Sequence, residues 1–256
     1  MVDIHSHLIW GIDDGSESKE MTINMLKQAK EGGTKKLVLT PHYLLGYYEV
    51  PIIKVKEKAK EISLLAKYNE IDIEIYCGQE VYFNRKILEN FENKIIGTIN
   101  ESRYMLIEFN MRNFSVEEVI EILYELQLKG IVPIIAHPER YIKFIKSPSL
   151  INEFIKEGFL FQLNIGSLTG DFGKEVKKTA KIFLKNKIYS FFGSDAHRDK
   201  RRNPNMKLGV EALKAIDNNY FNYLKKSGEK LLNNDEIKFI GNAIKEKKGL
   251  LDIFKK

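Results

Sequence analysis

The 256-residue chain is 43% hydrophobic and 30% charged, the balance of a water-soluble globular protein long enough to bury a sizeable core. No apolar run approaches the ~20 residues of a membrane span, and no basic stretch leads into an apolar one at the start, so neither a membrane span nor secretion by a signal peptide is expected, and a cytoplasmic location is. The lone cysteine, Cys77, excludes an intramolecular disulfide and any site built on several thiolates.

The net charge of +6 is carried mainly by lysine, with only seven arginines among 41 basic residues. Most of the lysines lie on solvated helix faces such as 54–61. Aromatics are not interleaved with a basic stripe, so a nucleic-acid surface is not expected. Cys77 itself has Phe83 where a Cys-x5-Arg nucleophile would carry arginine, and reads as a packed strand residue.

Apolar, β-branched runs recur at 2–7, 36–41, 73–78, 104–109, 131–136, 159–164 and 188–193, which predicts seven strands. Amphipathic stretches separate most of them, the pattern of parallel βαβ units. Ser115-Val-Glu-Glu118 predicts a capping box for a helix that closes at Gly130. Ser147-Pro148 predicts a second capped helix, ending at Gly158. The tail after Met206 reads as helices with a solvated, Lys-rich end. No linker or repeat divides the chain, so one domain over 1–256 is expected: an α/β fold, a distorted (β/α)7 barrel of the TIM type, with the doubly wound open sheet as the other candidate.

Active residues of such folds gather at strand C-termini. His5 and His7 end the first predicted strand, where spacing of two puts both rings on one face. Asp13 and Asp14 follow closely. His42 follows the second strand, Glu80 the third, Glu108 ends the fourth, His137 follows the fifth, and Asp195 and His197 follow the seventh. All five histidines thus fall on one rim with several carboxylates. Imidazole with carboxylate and no thiolate suits manganese, iron, cobalt, nickel or zinc. Nine candidate ligands, His5, His7, Asp14, His42, Glu80, Glu108, His137, Asp195 and His197, exceed one site and fit two or three ions.

The series His5-x-His7, Thr-Pro-His42, Gly-x-Glu80, Glu108, His137-Pro-Glu-Arg140 and Ser-Asp195-Ala-His197 resembles the polymerase-and-histidinol-phosphatase (PHP) superfamily. "MVDIHSHLIWGIDDGS" and "HPERY" further resemble the metal-dependent protein tyrosine phosphatases of Gram-positive capsule and exopolysaccharide systems. The resemblance implies the PHP fold, a trinuclear site usually supported by manganese, with iron, cobalt or zinc as alternatives, and action on phosphotyrosine of an autophosphorylating bacterial tyrosine kinase. By the same resemblance His5, His7, Glu80 and Asp195 hold one metal, Glu80 bridges to a second held by Glu108 and His137, and Asp14, His42 and His197 hold the third; Asp13 and Asp14 are interchangeable at this stage.

Arg140, three residues beyond His137, is the expected phosphate clamp, because its planar fork binds two oxygens at once. Arg198, Arg201 and Arg202 are assigned no role. Tyr43, Tyr47, Tyr82, Phe83 and Phe109 are candidates for a pocket wall or for core packing, and the Gly-rich segment 164–174 reads as a loop-to-helix turn. A small-molecule phosphatase acting on histidinol phosphate and a PHP-type nuclease are the alternative functions.

Overall fold

The computed structural model describes residues 1–245. Its strands are β1 (Val2–Asp3), β2 (Lys36–Leu39), β3 (His42–Tyr43), β4 (Glu74–Cys77), β5 (Glu80–Tyr82), β6 (Tyr104–Glu108), β7 (Val132–Ala136), β8 (Leu160–Asn164) and β9 (Phe191–Gly193). All pair in parallel, in two ladders ordered β1-β2-β4 and β3-β5-β6-β7-β8-β9. Helices α1 (Lys19–Glu31), α2 (Ile52–Tyr68), α3 (Ile87–Glu92), α4 (Val116–Leu128), α5 (Ile142–Lys146), α6 (Ile151–Lys156), α7 (Lys174–Lys185) and α8 (Lys207–Leu232) lie between and after them.

Among the described residues nine strand segments stand where the sequence pattern predicts seven. The runs 36–41 and 73–78 are each followed, past a short break, by a second strand. Pro41 lacks an N–H for the ladder, which interrupts one of them. Pairing persists across the breaks: Gly78 N–H donates to Leu39 O at 2.9 Å and Glu80 N–H to Pro41 O at 3.1 Å. The first predicted strand is also shorter than expected, because the Asp3 carboxylate takes the His5 N–H at 3.2 Å and so diverts the backbone from the ladder.

The sheet curls around an inner core, and side-chain alternation shows it. Val38, Leu106, Ile134, Leu160 and Phe191 pack together on the inner face. Their strand neighbours Met105, Ile107, Ile135, Phe161 and Phe192 pack outward against the helices. Burial on both faces is why these strands read as unbroken apolar runs. The inner face turns polar toward the strand C-termini: Val38 gives way to Thr40 and His42, Leu106 to Glu108, and Leu160 to Gln162 and Asn164. The two edges of the curl meet at a parallel bridge between Ser6 and Ala196, with Asp195 N–H donating to His5 O at 2.8 Å. Gly193 permits that approach, since a Cβ there would stand 2.7 Å from the His5 Cβ.

Capping follows the sequence in part. Ser115 Oγ accepts the Glu118 N–H at 3.2 Å and α4 closes before Gly130, whose φ is +80°. Glu118 pairs with Arg85 instead of completing the box. The Ser147 side chain caps no helix N-terminus: the residue instead closes α5, donating its N–H to Lys143 O, and Pro148–Leu150 forms a tight 3-10 turn before α6. The tail is helical as expected through α8, which breaks at Asp217; its Lys-rich end extends beyond the described residues.

Candidate metal centre

The inner face, polar at one end, collects all nine sequence-predicted ligands. His42 lies in β3, Glu80 opens β5, and Glu108 ends β6. His137 follows β7 immediately, and Asp195 and His197 follow β9. His5 and His7 flank the closing bridge at Ser6. His137 and Asp195 take left-handed backbone with φ of 30° and 50°, a strained conformation for residues with a Cβ, held at the point where the strands end.

Their donor atoms converge in three overlapping groups: His5, His7, Glu80 and Asp195; His42, Glu80 and Glu108; and His7, Asp14, His42 and His197. Glu80 Oε2 stands 3.1 Å from His5 Nε2, 3.2 Å from His7 Nε2 and 3.1 Å from His42 Nδ1. His137 Nε2 is 3.1 Å from Glu80 Oε1 and 3.7 Å from Glu108 Oε1. Asp14 Oδ1 lies 3.5 Å from His42 Nε2 and 3.4 Å from His197 Nε2.

This donor set fits divalent cations. His5 Nδ1 donates to Gln162 Oε1 at 3.1 Å and His7 Nδ1 donates to Asp13 Oδ2 at 2.7 Å, so each ring turns a lone pair inward at Nε2. Those Nε2 atoms are only 3.1 Å apart, and both face a carboxylate oxygen. Glu80 Oε2 and His42 Nδ1 are buried without a hydrogen-bond partner. Lone pairs crowded together in a dry pocket repel unless a cation lies among them.

The electrostatics divide the histidines: Glu80 and Asp195 outweigh burial and hold His5 above the usual imidazole range, and Asp13 and Glu80 hold His7 well above it, so crowded carboxylates draw positive charge to these two rings when no cation supplies it. Burial pushes the Glu108 carboxyl well above the usual range, and Glu80 and Asp195 beside it push the same way. Burial would also raise Asp195, but His5, Arg202 and Arg140 outweigh it and hold that carboxyl well below the usual range. Burial and the Arg140 charge push His137 down to about 4, and burial and His7 push His197 down to about 4. Both rings are therefore neutral near pH 7, the form that binds a cation.

Asp13 and Asp14 are distinct in position. The Asp13 carboxylate is fully buried and accepts from His7 Nδ1, from the His42 N–H at 2.9 Å and from the Gly15 N–H at 2.9 Å. Asp14, 49% exposed, turns its oxygen toward His42 and His197. Asp13 orients a histidine; Asp14 faces the cluster.

Arg140 Nη1 donates to Asp195 Oδ2 at 2.6 Å, and Asn164 Nδ2 donates to the same oxygen at 2.7 Å. Arg202 Nη2 meets Asp195 Oδ1 at 2.7 Å. Arg198 instead ties the 14–17 loop, donating to Asp14 O, Gly15 O and Glu17 Oε1. Arg201 is exposed. Of the aromatic candidates, Tyr43 and Phe109 are buried in the core, Tyr82 and Phe83 are half-buried, and Tyr47 is 80% exposed. Cys77 shares the outer face of β4 with Ile75, packed on the helix side of the sheet.

Sequence reading passed over Gln162 and Asn164. The signal was present: both continue the inner-face alternation from Leu160, and a strand buried on both faces carries an inward amide only where a polar partner awaits it. Glu139 is a further buried group, accepting from the Asn164 N–H, Ser167 Oγ and Tyr189 OH at 3.0, 2.7 and 3.0 Å.

A parallel sheet curled around an inner core, with its polar end lined by histidine and carboxylate, is the architecture of metal-dependent hydrolases. The TatD-family hydrolase of Entamoeba histolytica superposes with a TM-score of 0.54 at 12% identity, covering 90% of this chain and 97% of that one, a likeness of fold alone. The chain belongs to the CpsB/CapC family of capsular polysaccharide synthesis, whose model matches residues 1–233. CapC of Staphylococcus aureus is 37% identical over 239 residues, 93% of each chain. The tyrosine-protein phosphatase CpsB of Streptococcus pneumoniae is 33% identical over 218 residues, 83% of this chain and 89% of the relative. Crystal structures of YwqE from Bacillus subtilis and CpsB from Streptococcus pneumoniae, described as unique metal-dependent tyrosine phosphatases, include a match at TM-score 0.91 and 29% identity, covering 96% of this chain and all of the other.

Proposed function

We propose that the protein is a metal-dependent protein tyrosine phosphatase. The observation that carries this is the fusion of three donor groups through shared Glu80, His7 and His42, in a chain whose close relatives are tyrosine-protein phosphatases. In this reading His5, His7, Glu80 and Asp195 would hold one ion, Glu108 and His137 with a shared Glu80 would hold a second, and Asp14, His42 and His197 would hold the third. Manganese is the expected metal, with iron, cobalt or zinc as alternatives. Asp14, Glu80, Glu108 and Asp195 supply four negative charges, so three divalent ions leave about two positive charges to draw a phosphate dianion.

When bound, the ions supply Lewis acidity and a water acidic enough to attack phosphorus near neutral pH. The chain's own residues do the rest. Gln162 and Asp13 fix the His5 and His7 rings. Arg140, seated on Asp195 by one Nη, has its other N–H groups available for phosphoryl oxygens. No side-chain nucleophile is needed, and Cys77 faces away from the centre. A phenolate leaves with little protonation because its conjugate acid has pKa ~10, which suits a site whose histidines are all committed as ligands.

The substrate is then phosphotyrosine protein, foremost an autophosphorylating tyrosine kinase of a capsule or exopolysaccharide system, met in the cytoplasm. Among the described residues no helix is long and apolar enough to cross a membrane. We read the nine strand segments as seven β/α units, the two interrupted pairs counting once each, in one domain. The histidinol-phosphatase alternative has support from fold alone: histidinol phosphate phosphatase of Lactococcus lactis superposes at TM-score 0.54 and 13% identity. The deciding experiment compares phosphotyrosine peptide, phosphoserine peptide, histidinol phosphate and single-stranded DNA, after chelation and after Mn²⁺ addition. Phosphotyrosine hydrolysis that chelation abolishes and Mn²⁺ restores is expected; a kcat/KM favouring histidinol phosphate or DNA overturns the assignment, as does full activity in metal-free protein.

A further inference from the structure

Phe172 belongs to none of the motifs that define the centre, yet its ring touches both arginines beside it. The Arg140 guanidinium carbon lies 4.6 Å from the ring centroid and that of Arg202 lies 5.7 Å away. These arginines come from separate segments, after β7 and after β9, and hold opposite oxygens of Asp195. Two like charges so close are offset by the carboxylate between them and by the π face they share.

The ring's position is built by its loop. Thr169 Oγ1 stands 2.8 Å from both Gly166 O and Asp171 Oδ1, which closes the turn. A Cβ on Gly166 would lie 3.3 Å from Phe172 Cε2 and 2.8 Å from Asp171 Oδ2, so the loop folds down against bare backbone. Gly170 and Gly173 bracket the ring at φ +101° and +97°, conformations that side chains with a Cβ rarely take.

We propose that Phe172 is a positioning residue that fixes the plane of Arg140 so that its free N–H edge faces the phosphoryl group. An arginine held only through one Nη swings about its stem; a ring against its face stops that swing and leaves the in-plane donors unobstructed. The role rests on the reading of the centre as a phosphatase site, and it assigns Phe172 no contact with metal.

The test is Phe172→Leu, with Phe172→Tyr and Phe172→Trp as variants that keep a π face, each also made in an Arg140→Ala background. Readouts are bound metal, KM and kcat on an aryl phosphate, and the side-chain N–H signals of arginine in ¹H–¹⁵N spectra. Phe172→Leu is expected to keep its metal and its KM within about twofold and to lose kcat about 3- to 30-fold. The aromatic variants retain at least half of kcat. In Arg140→Ala the penalty of Phe172→Leu shrinks, and in the spectra the ring-current shift of the Arg140 signals disappears in Phe172→Leu alone. Wild-type turnover in Phe172→Leu, loss of metal with loss of rate, or an undiminished penalty in the Arg140→Ala background overturns the proposal. A wild-type protein with no phosphatase activity overturns the functional reading instead, and the spectra still report whether the ring seats the arginine.

Discussion

Asp13→Asn separates the residue that orients a proposed ligand from the residue beside it that is itself a proposed ligand. The Asp13 carboxylate accepts three N–H groups, from His7 Nδ1, His42 and Gly15. An amide in its place has one oxygen. With that oxygen toward His7 and His42, the NH2 confronts the Gly15 N–H; reversed, it confronts the other two. At least one buried donor is left unpaired, and the charge on the 2.7 Å bond to His7 is lost in either case, a cost of about 1–3 kcal/mol. Because the bond fixes which His7 nitrogen faces inward, the cost appears as metal affinity, roughly 10- to 100-fold weaker. Competition against a fluorescent chelator measures the affinity, and elemental analysis at saturating Mn²⁺ counts the ions. Asp13→Asn is expected to bind more weakly at unchanged stoichiometry, whereas Asp14→Asn loses an ion. The reverse pattern, or wild-type affinity in Asp13→Asn, refutes the assignment.

Arg140→Ala should lower kcat about 10²-fold or more with metals retained, the loss expected when a charge-assisted donor to a transition state is removed; Arg140→Lys should recover only part of it, and steady-state kinetics with metal analysis decides. Glu80→Gln removes the charge of the carboxylate that faces His5, His7, His42 and His137 and puts an NH2 in place of one of its oxygens, so bound metal and rate should fall together; unchanged occupancy contradicts a bridging role. Burial pushes the Glu139 carboxyl up to about 7 from its ordinary 4.5, its hydrogen-bond donors only partly opposing. The folded state then holds a proton that the unfolded chain releases, so the protonated group's contribution is complete below about 4.5 and is lost as pH rises to about 7. Glu139→Gln should therefore gain about 3 kcal/mol relative to wild type between those pH values; urea unfolding at both, with a constant difference, would refute this.

The helices and most strands were legible because burial on both faces writes a strand as an apolar run and one-sided burial writes a helix as a stripe. The interruptions at Thr40-Pro41 and Gly78-Gln79 were less so: pairing there resumes across the break, and no periodicity in residues 36–43 announces it. Ser147 misled because one residue can end a helix or begin one, and α5 had already claimed it. Histidine and carboxylate at strand ends brought all nine ligand candidates into view. Gln162 and Asn164 escaped because amides carry no spacing signature, and Asp13 could not be told from Asp14 because adjacent aspartates share one; only the inward turn of each side chain shows what it touches. Phe172 was hidden for a related reason, since a loop aromatic declares nothing until its neighbours arrive from other segments.

The joint that closes the sheet imposes an order on assembly. Asp3 accepts from the N–H of Ser194, 191 residues away, and closing so long a loop costs about 5 kcal/mol of chain entropy before any contact rewards it. At synthesis rates of roughly 5–20 residues per second, His5 and His7 are joined to the chain about 10–40 s before Asp195 is. During that interval two of the three donor groups cannot form, however well the intervening strands have paired. A chain broken off before residue 195 lacks those two groups, so the full donor set is available only to a chain that has been read through its ninth strand.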